Sequence, residues 1–246
     1  MMMKKVIKKS IRYFGFALFI SVASCSSSDD GAIDDQKNGN GNGNDNNNPT
    51  NASYWPHAVG NKWFFKNVND ADDVYEHHLY KTVNYEGKTY FQVEPLNAPE
   101  DFELTGGTRE ENGVFYELHG ASSQMGVHTS AGSIKSMNTL LNVGETWTDH
   151  LTLTISGAAS GTIQHTNEGK IVEKAASVTI NGQTFQDVLK IELKKTVLNS
   201  IGSNSFTIKY EDWLAKGVGP IYRKTTYYYG STEEVEQYNL THYTLN

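Results

Sequence analysis

A handful of residues in this chain carry side chains able to do chemistry. Cys25 is the sole cysteine among 246 residues, and a lone thiol is either a nucleophile or a point of covalent attachment. With one cysteine no intramolecular disulfide forms, so the fold must be held by its core. Glu76-His77-His78 offers imidazole and carboxylate ligands. Adjacent residues on a strand point to opposite faces, however, so the two histidines cannot share one ion without a bulge, and the expectation is ordinary strand residues. Asn67-Val68-Asn69-Asp70-Ala71-Asp72-Asp73 gathers oxygen ligands of the kind Ca²⁺ accepts. It lacks the glycine and the spacing of an EF-hand, so a solvated turn is expected there. Glu110-Glu111 and Glu233-Glu234-Val235-Glu236 could serve glycoside hydrolysis only by converging across a sheet; flanking turns, they read as solubilising charge. Tyr227-Tyr228-Tyr229 places rings on both faces of one strand, one face for the core and the other free to stack on a sugar or line a pocket. There is no Gly-x-Ser-x-Gly, no His-Glu-x-x-His and no phosphate loop. The residues therefore assign no catalytic group, no metal and no cofactor, and leave the ligand-binding residues open.

The elements that must position these residues are strands. Three glycine hairpins punctuate the chain, at Glu86-Gly87-Lys88, Glu111-Asn112-Gly113 and Asn181-Gly182, where both turn residues tolerate positive φ. Tyr75, His77, Leu79, Lys81, Val83 and Tyr85 alternate with Val74, Glu76, His78, Tyr80 and Thr82. Leu189, Ile191 and Leu193 alternate with Lys190, Glu192 and Lys194, the signature of a half-buried strand. Phe206, Ile208 and Tyr210 repeat the pattern, Ile221 to Tyr229 is a further strand, and Val235 to Leu245 closes the series. Ser133 to Leu141 is read as a short helical turn. Gly217-Val218-Gly219-Pro220 reads as a tight bend between two strands. The sequence predicts an all-β, antiparallel domain over 54–246, mainly a meander, with at most short helical turns. One motif occurs twice. Ala58-Val59-Gly60-Asn61-Lys62-Trp63 returns in outline as Asn142-Val143-Gly144-Glu145-Thr146-Trp147, which is either a true repeat or one motif reused at two strand starts.

The first 53 residues are of another kind. Residues 1–24 carry Lys4, Lys5, Lys8, Lys9 and Arg12, no acid, and an apolar run from Tyr13 to Ala23. Basic head, short apolar stretch and small residues before a cut site make a secretory signal. The run falls short of the roughly 20 residues a span requires. Val22-Ala23-Ser24-Cys25 resembles the bacterial lipobox, and that resemblance implies cleavage before Cys25 and acylation of its thiol and new amine. Several acyl chains anchor a protein stably without crossing the bilayer. Ser26-Ser27-Ser28-Asp29-Asp30 resembles the surface-export signal of lipoproteins in Bacteroidota-type bacteria, which implies outer-membrane, cell-surface display in a Gram-negative bacterium. Residues 25–53 then form the lipidated cysteine and an Asn/Gly-rich stalk with nothing apolar to bury, expected to be disordered with a span of roughly 30 Å. Five of the 21 basic residues lie in the signal, so the remainder sets 16 against 28 acidic residues, a net charge of −12. That balance argues against nucleic acid as a partner.

A further resemblance covers nearly the whole domain. Tyr54-Trp55-Pro56-His57-Ala58-Val59-Gly60-Asn61-Lys62-Trp63, Val178-Thr179-Ile180-Asn181-Gly182-Gln183-Thr184-Phe185-Gln186-Asp187-Val188-Leu189-Lys190-Ile191 and Trp213-Leu214-Ala215-Lys216-Gly217-Val218-Gly219-Pro220-Ile221 are similar, in order and spacing, to segments of uncharacterised secreted bacterial β-proteins. The resemblance implies a large curved antiparallel sheet or half-barrel in the manner of LolA-like lipoprotein carriers, curled around an apolar hollow with a loop or short helix as plug. It assigns no site. The functional expectation is a surface-exposed or periplasm-facing lipoprotein with a non-enzymatic binding or accessory domain, lipid-anchored to a membrane at Cys25. An apolar small molecule, a glycan and an envelope protein all stand open as partners. The alternatives are a glycan-directed hydrolase and a structural component of an outer-membrane complex.

Overall fold

In the computed structural model the described residues are 53–95, 106–202, 204–229 and 231–246. The signal, Cys25, the acidic export signal and the stalk to Ala52 lie outside them. Fourteen strands follow in order: β1 Lys62–Asn67, β2 Val74–Tyr85, β3 Lys88–Pro95, β4 Gly107–Glu111, β5 Val114–His119, β6 Ser122–Gln124, β7 Val127–Thr129, β8 Gly132–Asn138, β9 Thr146–Gly157, β10 Gly161–Ile180, β11 Gln183–Asn199, β12 Asn204–Ala215, β13 Gly219–Tyr229 and β14 Thr232–Thr244. They form one antiparallel sheet in the order β6-β7-β9-β10-β11-β12-β13-β14-β1-β2-β3-β4-β5-β8. Two meanders, β1–β5 and β9–β14, are joined where β14 pairs with β1. This is the all-β antiparallel sheet the alternation predicts and the curved sheet the resemblance implies.

The three predicted hairpins are present. Glu86-Gly87, Asn112-Gly113 and Asn181-Gly182 all have positive φ at both turn residues, the geometry whose twist matches that of the flanking strands. Met125-Gly126 adds a fourth. The Gly217–Pro220 bend also stands: Gly217 and Gly219 have φ of 74° and 112°, and Val218 N–H donates to Ala215 O at 3.0 Å.

Ser133–Leu141 is not helical. Residues 132–138 are strand β8, and the reason for the difference is specific. Ile134 and Met137 are both buried and stand three apart, which looks helical. Across the ladder Met137 faces Phe115 while Lys135 faces Tyr116, so Ser136 is an extra, bulged residue. A bulge shifts the alternation by one and returns Met137 to the core face. A second bulge, between Leu79 and Lys81, likewise ends the single-faced run expected along β2.

The two Val-Gly-x-x-Trp segments have the same backbone. Gly60 N–H donates to Leu79 O at 2.7 Å and Leu79 N–H to Asn61 O at 2.9 Å. Gly144 N–H donates to Ile171 O at 2.8 Å and Ile171 N–H to Glu145 O at 3.1 Å. In both, the partner residue immediately precedes a bulge in its own strand. Both tryptophans then cover a glycine, Trp63 over Gly219 and Trp147 over Gly169.

Two apolar clusters form the core. One centres on Trp63, Phe65, Leu79, Ile221 and Leu240. The other joins Phe115 and Met137 to Trp147, Ile171, Leu189 and Ile191, and so brings β5 and β8, at one end of the strand order, against β9–β11 near the other. The sheet is not closed into a ladder there. Instead Asp149 accepts from Lys135 N–H at 2.7 Å, and the Asn167 amide donates to Lys135 O at 2.9 Å. Two side chains thus satisfy one residue of β8 as a neighbouring strand would. Trp55, in the segment that precedes β1, packs against both clusters.

Candidate functional site

The alternation that buries one face of β10–β13 sends the intervening residues to the opposite, solvent face. A groove of about 550 Å³ lies there, bounded by residues of β9–β13 and Glu233. Its floor consists of two neighbouring rows set by strand register. In one, Glu168 faces Lys194, Lys194 faces Lys209 and Lys209 faces Thr226. In the next, Lys170 faces Glu192, Glu192 faces Glu211 and Glu211 faces Lys224. Lys194 binds Glu168 at 2.8 Å and Lys224 binds Glu211 at 2.6 Å. Aromatic rings bracket the two rows. On one side is Tyr228, with Lys209 Nζ 5.1 Å from its ring centre. On the other, Trp213 and Tyr222 face each other with ring centres 4.4 Å apart, and Lys190 Nζ lies 4.4 Å from the Trp213 ring. From Tyr222 to Tyr228 is six residues of strand, or roughly 20 Å. The arrangement offers donors, acceptors and flat apolar faces on rigid strands.

The core face also carries charge. Glu117, 6% exposed, pairs with Lys195, and His119 Nε2 lies 3.5 Å from the same carboxylate. His119 and His165 have ring centres 4.2 Å apart. Arg223 grips Asp212 with two hydrogen bonds of 2.7 and 2.9 Å. Burial opposes ionisation of Glu117, yet Lys195 and His119 prevail and hold its pKa down at about 2. Burial pushes His165 down to about 4 and His57 to about 4. His77 falls to about 3, through burial first and the Arg223 charge second. Tyr75 is pushed up to about 12 by burial. Glu117 and Asp212 each have a cation, so the network compensates buried charge.

The residues singled out in the sequence are placed separately. His77 is buried among Trp55 and Trp63, whereas His78 lies on the other face, 2.8 Å from Glu94, and Glu76 pairs with Lys62 at 2.8 Å. In the Asn67–Asp73 loop, Asp73 accepts from Asn67 Nδ2 and from the Tyr238 hydroxyl, both at 3.0 Å. Asp70 accepts from Asp72 N–H at 3.1 Å, so the loop's oxygens shape the turn. Among the described residues no three ligating side chains gather to hold a metal. Glu111 binds Arg109 and Lys88, Glu110 accepts from Ser53, and Glu236 accepts from Tyr227. Of the four residues 233–236, Glu233 borders the groove.

Sequence reasoning missed the groove and the buried network. Parity held a signal for the second: Lys195 continues the odd-numbered, inward series Leu189, Ile191, Leu193 and has to be compensated. The groove depends on which lysines and glutamates become neighbours across strands, and that needs the register.

No family model matches the chain, and no curated protein does. Among solved structures, the chain is similar to a candidate lipoprotein of Parabacteroides distasonis, with 13% identity and a TM-score of 0.45 over 78% of this chain and 99% of the other. It is also similar to a candidate exported protein of Bacteroides fragilis with a YmcC-like fold, with 11% identity and a TM-score of 0.44 over 79% and 100%.

Proposed function

We propose that this chain is a lipid-anchored envelope protein, held by Cys25 at the outer membrane and displayed at the cell surface, whose β-domain binds a glycan without acting on it. The observation that carries the binding role is the groove of β9–β13. Hydroxyls, ammonium groups and carboxylates line it together with the Tyr228 ring, and the Trp213–Tyr222 pair lies one register beyond its acidic row. Sugars present hydroxyls around their edges and C–H groups on their faces, so they need this pairing of hydrogen-bonding and aromatic partners. An apolar ligand inside the curl is the weaker reading, because Trp55 already packs between the two core clusters. The anchor rests on Val22-Ala23-Ser24-Cys25 and the basic, apolar segment before it.

The test uses the full-length lipoprotein in detergent micelles on a printed array of bacterial glycans. Wild type is expected to bind a subset of spots, and the double variant Trp213→Ala/Tyr228→Ala to bind them at least tenfold more weakly with an unchanged far-ultraviolet spectrum. An array blank for wild type, or signals indifferent to the loss of both rings, overturns the binding role. For the anchor, cells fed an alkyne fatty acid should label wild type and not Cys25→Ala; equal labelling removes it.

A further inference from the structure

Directly opposed charges elsewhere on this sheet are of opposite sign. Glu168 faces Lys194, Lys170 faces Glu192, Glu173 faces Lys190, Glu211 faces Lys224 and Asp212 faces Arg223. Among the described residues two pairs break this rule, and they are neighbours: Glu192 faces Glu211 and Lys194 faces Lys209. Both fall between β11 and β12, and all four side chains border the groove. Like charges directly opposite each other destabilise a ladder, and a local conflict of this kind is where function is to be sought.

The two rows are not equivalent. In the acidic row each glutamate has a lysine on its outer side, Lys170 beside Glu192 and Lys224 beside Glu211. In the basic row Lys194 has Glu168, but Lys209 has only Thr226. One ammonium is therefore left over. Lys209 is exposed, forms no ion pair among the described residues, and rests over the Tyr228 ring. The lysine pair lies in the groove beside the Thr226 hydroxyl and the Tyr228 ring, a local positive spot in a lining that balances as a whole, four lysines against four glutamates.

We propose that the groove selects an acidic glycan, whose anionic group is bound by the Lys194–Lys209 pair while its ring stacks beside Tyr228. This rests on the glycan reading above and names the sugar's class. An anion between the two ammonium groups converts their repulsion into two attractions, so the ladder conflict is relieved when the ligand is present. The unliganded sheet carries the cost. Substituting Lys209 by an acid should then have opposite effects on stability and on binding.

The experiment titrates the full-length lipoprotein in micelles with dextran, which is neutral, polygalacturonate, which carries carboxylates, and dextran sulfate. At low salt at least one acidic chain is expected to bind ten times more tightly than dextran, and whichever binds more tightly names the anion. The preference should shrink as salt shortens the screening length to a few ångströms. Lys209→Glu and Lys209→Met should both abolish the preference, while Lys209→Glu melts no lower than wild type because the introduced carboxylate would face Lys194. An acidic chain no better than dextran, or a preference that survives Lys209→Glu, overturns the proposal and leaves the glycan reading standing if dextran binds. Failure of all three chains overturns this proposal, and the glycan array then decides the reading on which it rests.

Discussion

The Trp63 and Trp147 segments start from the same local instructions and end in different places. Each has a glycine at positive φ, a pair of backbone bonds to a residue just before a bulge, and a tryptophan laid over a glycine. Trp63 is fully buried, and its indole N–H donates to Val218 O at 2.7 Å. It thereby ties β1 to the bend between β12 and β13. Trp147 is 6% exposed, and its indole nitrogen is buried without a hydrogen-bond partner. It sits in the cluster that brings the two ends of the open sheet together. The same turn is therefore a fully satisfied joint in the middle of the strand order and an incompletely satisfied one near its edge. What differs is the neighbour each meets, and that is set by topology.

The comparison is broken most directly by removing each ring. Trp63→Ala should cost about 3–5 kcal/mol, as large-to-small core changes do. Trp147→Ala should cost about 1–2 kcal/mol less, because it strands no carbonyl and removes an orphaned donor. Urea melts of the two variants measure this, and equal midpoints would mean that the Trp63–Val218 bond contributes nothing.

A smaller effect separates the two covered glycines. A Cβ at Gly169 would stand 2.0 Å from Trp147 Cζ2, and one at Gly219 would stand 2.7 Å from Trp63 Nε1. Each alanine should cost about 1–3 kcal/mol by overpacking. Gly169 has an ordinary φ, so shrinking Trp147 to Leu should rescue Gly169→Ala. Gly219 has a φ of 112°, so Trp63→Leu should leave part of the Gly219→Ala cost in place. Double-mutant cycles decide it; full rescue at both sites would show that backbone strain plays no part.

A pH-dependent effect, small near neutral pH, is spread over both regions. His77 beside Trp63, and His165 with His119 in the second region, are all held below the ordinary histidine range chiefly by burial. A group whose folded pKa is depressed contributes stability that is complete above its unfolded value of about 6.5 and is lost as pH falls toward the folded value. For His77 that window runs from about 6.5 down to about 3, at about 1.4 kcal/mol per pH unit. His77→Asn should flatten the decline in melting temperature between pH 6.5 and 5. An unchanged slope would place the acid sensitivity elsewhere, and His165→Asn is the next variant.

How much of this was legible depends on range along the chain. Asn181-Gly182 states its own turn, because few residues tolerate two positive φ values in succession. Leu189, Ile191 and Leu193 state their own face. The repeat at Val143-Gly144 was visible as letters, but its equivalence rests on Ile171, 27 residues away from Gly144, which nothing local announces. Ser136 shows the opposite failure: one bulged residue turned strand spacing into apparent helical spacing. The groove was least legible. Lys194 and Lys209 stand 15 apart in sequence and face each other only because β11 and β12 are long strands joined at a particular register.

The pairing of β14 with β1 has a consequence for how the molecule comes into being. β14 is the last of the fourteen described strands in chain order, yet it lies in the interior of the strand order and is the ladder link between the two meanders. Asn246 then donates from its backbone N–H to the Asn61 side chain at 2.8 Å. Until β14 docks, the first meander has no neighbour on its β1 side, and the cluster around Trp63 lacks Tyr238 and Leu240. Contacts between residues so distant in sequence are slow to form. A chain of this design completes the ladder between its two meanders only when β14 is in place.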